Sequence, residues 1–190
     1  MLKLKTRPTP QKPVLITGEQ LAEMENIGRC DLINGEIRRK MPTKREHGQV
    51  SALIIGYLII HNLQHKRGEV YSSETGVYTR REPDTVRGMD AAFISHERLK
   101  HAKKDSFLTV APELVVEVLS RSNTKREIDE KLVEYFDIGV AVVWVVNPRR
   151  RQVKVYRSAD KFDLLTTSDR LTCPDLLPEF DVAVKDIFTS

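Results

Sequence analysis

Two runs of consecutive apolar residues stand out in a sequence where polar and apolar positions otherwise alternate. Residues 114–119 are all Val or Leu except Glu117, and residues 140–147 read VAVVWVVN. Uninterrupted apolar runs of this length are typical of strands that are buried on both faces of a sheet. The pattern therefore predicts two deeply buried strands, one of which carries a carboxylate.

Helical periodicity and capping residues mark three further segments. The predicted helices are 18–25, 46–66 and 124–138. Capping boxes, Thr17 with Gln20 and Thr124 with Glu127, precede the first and third of them. The middle segment has its apolar residues mostly at helical spacing, so we expect a long amphipathic helix there.

Shorter alternating segments predict the remaining strands. These are 30–40 with an Asn34-Gly35 turn inside it, 69–80, 89–95, 151–158 and 162–165. The stretch 82–88 looks turn-rich, and 96–111 is a mixed, basic connection. The order of helices and strands predicts an α/β fold with a mixed central sheet flanked by helices.

Length and composition narrow the class of protein. The chain has 190 residues, enough for one domain with a substantial core. No apolar run reaches the roughly 18–20 residues of a membrane span, and the two cysteines lie too far apart to indicate a disulfide framework. We expect a cytoplasmic, non-membrane protein with a flexible basic lead at 1–16 and one domain at 17–190.

The net charge of +4 comes from the N-terminus. Four basic side chains precede the first acidic residue, namely Lys3, Lys5, Arg7 and Lys12. The rest of the chain is formally neutral. The lead therefore either contacts phosphate groups or is simply solvated, and the neutral body favours a local basic face over general attraction to nucleic acid.

Three acidic residues occur in apolar surroundings. Glu117 interrupts the first buried run, Asp90 opens the segment MDAAFIS, and Glu36 lies beside a turn in LINGEI. Carboxylates that converge at strand ends form the hard oxygen site that Mg²⁺ and Mn²⁺ prefer. The alternative is that each carboxylate pairs with an arginine or lies at a sheet edge.

Lys131 is the candidate partner of these carboxylates. On a helical wheel it lies about 60° from Ile128, on the shoulder of the apolar stripe of its helix. Its long stem can follow the sheet and bring the ammonium to a carboxylate cluster. Spacing alone favours the alternative, an ordinary lysine whose charge reaches solvent.

Five stretches resemble the Uma family of endonucleases in sequence and in order. They are DLINGEI, HGQV, MDAAFIS, PELVVEVLSRSNTKREIDEKLVEYFDIGV and VVWVVNPRRRQVKVYR. That family belongs to the restriction-endonuclease-like P-D-(D/E)-x-K superfamily, and the resemblance covers the chain from about Thr17 to its end. It implies a restriction-endonuclease-like fold, with Asp90 and Glu117 as the two signature acids.

The resemblance also places the signature lysine and two further residues. The superfamily lysine would fall two positions after Glu117, where this chain has Leu119. In this family it looks to have moved to the next helix, which matches Lys131. Glu36 matches an early acid of the family, and His47 matches a frequent histidine at the start of the long helix.

The mechanism that this resemblance implies is metal-dependent hydrolysis of DNA. Asp90, Glu117 and the Val118 carbonyl would hold one or two Mg²⁺ (or Mn²⁺) ions. Lys131 would orient water and stabilise charge on phosphorus, and Glu36 would support a second metal or a water.

The DNA partner would be held mainly through its phosphates. The expected contacts are His47 and the basic residues of the 96–105 connection: Arg98, Lys100, Lys103 and Lys104. A homodimer would suit a nuclease that cuts both strands. The alternative function is that of an inactive nuclease-fold protein that binds nucleic acid or a protein partner, since fold alone does not establish activity.

Overall fold

The computed structural model describes residues 14–104 and 106–188, so residues 1–13 of the predicted lead lie outside the described part. Within it, eight strands form one mixed sheet. They are β1 (Cys30–Ile33), β2 (Glu36–Arg39), β3 (Gly68–Arg80), β4 (Thr85–Ser95), β5 (Leu114–Val118), β6 (Val142–Asn147), β7 (Gln152–Tyr156) and β8 (Phe162–Leu165). A separate two-stranded sheet pairs β9 (Arg170–Cys173) with β10 (Leu177–Ala183).

Five helices accompany the strands in the described residues. They are α1 (Gly18–Ala22), α2 (Arg45–His65), α3 (His96–Leu99), α4 (Lys125–Asp137) and α5 (Val184–Ile187). Both predicted capping boxes form: the hydroxyls of Thr17 and Thr124 each accept from the third helical N–H, and their backbone N–H groups donate to the side chains of Gln20 and Glu127. None of these helices is long and apolar enough to cross a bilayer.

The two apolar runs form the centre of the large sheet. The strand order is β2-β1-β4-β5-β6-β7-β8, with β3 paired to β4 beside this path. The β5–β6 pair is parallel and α4 connects its two strands, whereas the other pairs are antiparallel. Every residue of β5 is buried, as expected for a strand covered by helices on both faces.

Helices α2 and α4 contribute to opposite layers of the core. Val50, Ile54 and Leu58 of α2 pack in one cluster with Trp144. Ile128, Leu132 and Tyr135 of α4 pack in the other, with Val115 and Val143 of the central strands. The predicted α/β architecture, a mixed sheet between helices, is confirmed.

The sequence-based prediction of the strands and helices was incomplete in two places. The turn-rich stretch 82–88 is partly strand, because β4 begins at Thr85 and its first residues pair with the end of β3. The β9–β10 hairpin and α5 were not predicted from the sequence. Their apolar residues are separated by charges, yet Leu171, Leu177 and Phe180 complete the core layer that α2 covers.

Candidate functional site

Asp90 and Glu117 lie where two antiparallel strands separate. The β4–β5 ladder consists of three pairs: Ala91 with Val116, Ala92 with Val115, and Phe93 with Leu114. The next pair in this register would be Asp90 with Glu117, but the ladder has ended there. Instead, the Val118 N–H donates a 2.7 Å hydrogen bond to Oδ2 of Asp90. The two acids therefore lie at the same end of the β4–β5 ladder, at the gap where the strands separate.

The Val118 carbonyl belongs to the same gap. On the other side of β5, the Leu119 N–H donates to the Val146 carbonyl of β6 at 2.8 Å. Backbone groups alternate sides along a strand, and the N–H and C=O of one residue point the same way. Because the Val118 N–H faces β4, its carbonyl oxygen also faces β4, beside Asp90.

Glu117 is buried, and α4 supplies partners to both of its carboxylate oxygens. Lys131 Nζ donates to Oε2 at 2.6 Å, and the Tyr135 hydroxyl donates to Oε1 at 2.6 Å. Lys131 and Tyr135 are one helical turn apart and so project from the same face of α4. A buried carboxylate is tolerated in this apolar strand because it is both ion-paired and hydrogen-bonded.

Burial and neighbouring charges set the protonation of this pair. Burial raises the pKa of Glu117, Lys131 opposes that shift, and the negative charge of Asp90 reinforces it. Burial alone would lower the pKa of Lys131, but the carboxylates of Glu117, Asp31 and Asp90 raise it overall. The carboxylates around Lys131 therefore favour its ammonium form.

Asp90 has a second partner on the opposite helix. His47, in the first turn of α2, places Nε2 3.2 Å from Oδ2 of Asp90, and its Nδ1 lies 3.3 Å from the Ser51 hydroxyl. Burial acts to raise the pKa of Asp90, but the hydrogen bond and charge of His47, with the Val118 N–H, lower it overall. Asp90 is thus favoured as a carboxylate and is oriented by helix α2 and by the backbone of β5.

Asp31 is a buried acid near this site that the sequence reading missed. It lies on β1, beside β4, and accepts from the Gly88 N–H at 2.9 Å while forming a 2.7 Å ion pair with Lys40. Its charge also raises the pKa of Lys131. Asp31 is the first residue of the motif DLINGEI, in which Glu36 was the predicted site residue.

A buried arginine connects Asp31 to α4. Arg87 donates from Nε and Nη2 to the two carboxylate oxygens of Glu134, both at 2.7 Å, and from Nη1 to Asp31 at 3.4 Å. Such bidentate contacts fix geometry strongly. Because Glu134 immediately precedes Tyr135, this network holds the helix face that presents Lys131 and Tyr135 to Glu117.

Glu36 lies apart from the other predicted site residues. It is on β2, pairs with Ile33 across the hairpin and forms a 2.6 Å ion pair with Arg38. Strand β1 separates it from β4, and none of its ion pairs or hydrogen bonds within the described residues reaches Asp90, Glu117 or Lys131. A supporting role for Glu36 stays a prediction, and Asp31 is the acid of this hairpin that acts on Lys131.

Of the residues predicted to contact DNA, His47 lies beside Asp90, whereas Arg98 lies at the other end of β5. Arg98 donates to the carbonyls of Ala111, Pro112 and Gly139 and ion-pairs with Glu113, so it fastens α3 to the start of that strand. Lys100 pairs with Glu97 at 2.5 Å. About four residues of strand, or ~13 Å, separate this end from Glu117. Contacts of Lys103 and Lys104 with DNA stay predictions.

The oxygen donors at the gap suit a hard divalent cation. They are the carboxylates of Asp90 and Glu117 and the carbonyl of Val118. Within the residues that the structure describes, no group of three or more His, Cys, Asp or Glu side chains is arranged to hold a metal. Mg²⁺ does not need such a cage, because it binds through one or two carboxylates and completes its coordination with water and substrate phosphate. The donor set therefore fits Mg²⁺ or Mn²⁺.

Comparisons with known proteins identify a sequence family and a solved structure of similar fold. The sequence profile of the Uma2 family, described as "Putative restriction endonuclease", matches residues 18–185. A crystal structure of a putative nuclease belonging to DUF820 from Anabaena variabilis has a similar fold, with a TM-score of 0.74 and 17% identity over 91% of this chain and 97% of that one. No curated protein matches the sequence.

Proposed function

This chain belongs to the Uma2 family, and from that premise we propose that it is a metal-dependent endonuclease that hydrolyses the phosphodiester bonds of DNA. The observation that carries the proposal is the convergence of Asp90 and Glu117 where β4 and β5 separate, with the Lys131 ammonium 2.6 Å from Glu117. Oxygen ligands next to a fixed cation are what phosphoryl transfer requires, because that chemistry depends on positioning and charge stabilisation.

Asp90, Glu117 and the Val118 carbonyl would hold the metal ion in this proposal. When bound, Mg²⁺ or Mn²⁺ supplies Lewis-acid stabilisation of the phosphate oxygens and lowers the pKa of water. The contacts of His47 and the Val118 N–H keep Asp90 ionised and fix its orientation. The two carboxylates thereby lie where the β4–β5 hydrogen bonding has ended, so that a metal ion could reach them.

Lys131 would act on the substrate from α4. Its raised pKa keeps the ammonium charged in a buried position, where a positive charge acts more strongly than in water. From there it would orient the attacking water and stabilise the negative charge that builds on the phosphoryl oxygens. The Arg87–Glu134 ion pair and Tyr135 hold the helix face from which it projects.

A plasmid-nicking assay tests the proposal. We expect purified protein to nick supercoiled DNA with Mg²⁺ or Mn²⁺ and not with EDTA, and Glu117→Gln and Lys131→Met to lose activity by about 10²–10³-fold, as for the loss of one stabilising group. Glu130→Gln is the matched control, because Glu130 lies on the solvent side of α4 with 53% of its side chain exposed.

The result that would overturn the endonuclease proposal is an absence of nicking, or nicking that survives Glu117→Gln. One observation favours the alternative, a nuclease-fold protein that binds nucleic acid or a protein partner without cutting. Both oxygens of Glu117 are already bonded, to Lys131 and Tyr135. Binding of labelled duplex that is independent of added metal, together with no nicking, would support that second function.

A further inference from the structure

A cleft of about 380 Å³ lies between the start of α2 and the end of β6. Three arginines line it: Arg45 from α2, and Arg149 and Arg151 from the single 3₁₀ turn Pro148–Arg150 and the residue after it. Val50, Pro148 and Phe188 contribute apolar wall, and Glu46 is the acidic residue among those that line it. The cleft is therefore lined by more positive than negative charge.

Within the described part of the chain, the cleft arginines are not neutralised by acidic partners. Among residues 14–104 and 106–188, none of the ion pairs includes Arg45, Arg149 or Arg151. Arg151 donates one N–H to the Phe188 carbonyl at 2.6 Å, which fixes its guanidinium and leaves other donors of that group for a ligand. By contrast, Arg87 and Arg98 form ion pairs with Glu134 and Glu113 within the fold.

The cleft lies beside the proposed catalytic acids. Because β5 and β6 are parallel, the turn that follows β6 lies at the same end of the sheet as Glu117. On the other wall, Arg45 is two residues before His47, whose ring contacts Asp90 at 3.2 Å. A nucleic-acid strand with one phosphate at Asp90 and Glu117 would therefore continue past this cleft.

We propose that this arginine cleft binds a backbone phosphate of the nucleic acid next to the scissile phosphodiester, an inference that rests on the proposed function. Arginine suits this role, because its planar guanidinium bonds two phosphate oxygens at once. Phosphates recur about every 3.4 Å of axis along one strand of a duplex, so a strand held at Asp90 presents further phosphates nearby. The contact is independent of base sequence and fixes the position of the strand.

Fluorescence anisotropy with a labelled DNA duplex in EDTA tests the subsite without any chemistry. We expect Arg45→Gln and Arg149→Gln each to weaken binding by a similar factor for unrelated duplex sequences. Each should also lower the slope of log K against log salt, and the double variant should lower it by about 1, because both arginines contact the same phosphate. Arg67→Gln is the matched control, because Arg67 is exposed and lies just beyond the far end of α2, about 30 Å from Arg45.

Three results would overturn the subsite: no duplex binding by the unaltered protein, unchanged affinity and slope in the double variant, or an equal loss in Arg67→Gln. The nicking assay separates this proposal from the proposed function. If the arginine variants lose binding as expected and the unaltered protein does not nick DNA, the endonuclease function fails and the phosphate subsite stands. If the protein nicks DNA and the arginine variants bind normally, the subsite fails alone.

Discussion

Lys131 Nζ lies 2.6 Å from Oε2 of Glu117, although the two residues are 14 positions apart and belong to different elements. Both are buried, with 8% and 6% of their surface exposed. In such a pair each charge offsets the cost of burying the other. Removing one partner therefore lowers the free energy of unfolding more than removing both. This relationship governs both the stability of the site and its proposed chemistry.

Lys131→Met should destabilise the metal-free protein by about 3–5 kcal/mol, because it leaves the Glu117 carboxylate buried without its ion-pair partner. Combining it with Glu117→Gln should recover part of that loss. The measurement is urea unfolding of both single variants and the double variant. Additive effects in this cycle would contradict the coupling, since independent sites add within a few tenths of a kcal/mol.

Tyr135→Phe should lower the free energy of unfolding by about 1–3 kcal/mol, because it removes the hydroxyl that donates to Oε1 of buried Glu117. Tyr71→Phe is the control, since its hydroxyl donates to the exposed Glu69. Thermal and urea unfolding of the two variants give the comparison. Equal small losses would show that the Tyr135 bond is not needed to satisfy the buried carboxylate.

Mg²⁺ should stabilise the folded protein through Asp90 and Glu117. At ten times Kd the gain is about 1.4 kcal/mol, which for a domain of this size raises Tm by roughly 3–6 °C. Differential scanning calorimetry with MgCl₂ against NaCl of equal ionic strength measures it. The same rise in Asp90→Asn would place the ion elsewhere on the protein.

Asp31 should make stability fall in acid. Burial acts to raise its pKa, but Lys40, Lys131 and the Gly88 N–H lower the pKa overall. A depressed pKa contributes stability that is present above the unfolded value of about 3.9 and lost as pH falls through the folded value. The difference in unfolding free energy between the unaltered protein and Asp31→Asn should therefore shrink below about pH 4. A difference that stays constant from pH 6 to pH 3 would exclude this ionisation as its source.

The central strands and the buried Glu117 were accessible from sequence because local pattern specifies them. The apolar runs predicted β5 and β6, and Glu117 was conspicuous as the charge within one of them. The capping boxes marked Thr17 and Thr124 as the N-cap residues of α1 and α4. Each of these signals is contained within a few consecutive residues.

The rest of the site depends on contacts between distant parts of the chain. Asp31 is buried because β1 pairs with β4, more than fifty residues away, and no local pattern encodes that pairing. Arg98 looked like a free basic residue, yet three of its partners are backbone carbonyls of other segments. Spacing disfavoured Lys131, and only the family resemblance marked it as a candidate partner of Glu117.

The three-pair ladder between β4 and β5 limits where residues can be inserted or deleted in relatives of this chain. One residue gained or lost between Asp90 and Phe93 would turn Asp90 to the opposite face of the sheet, because side chains alternate with a period of two. One residue gained at the start of α4 would rotate Lys131 by about 100°. Insertions among relatives should therefore accumulate in the 96–111 connection and after β7, while the segments that carry Asp90, Glu117 and Lys131 keep a constant length.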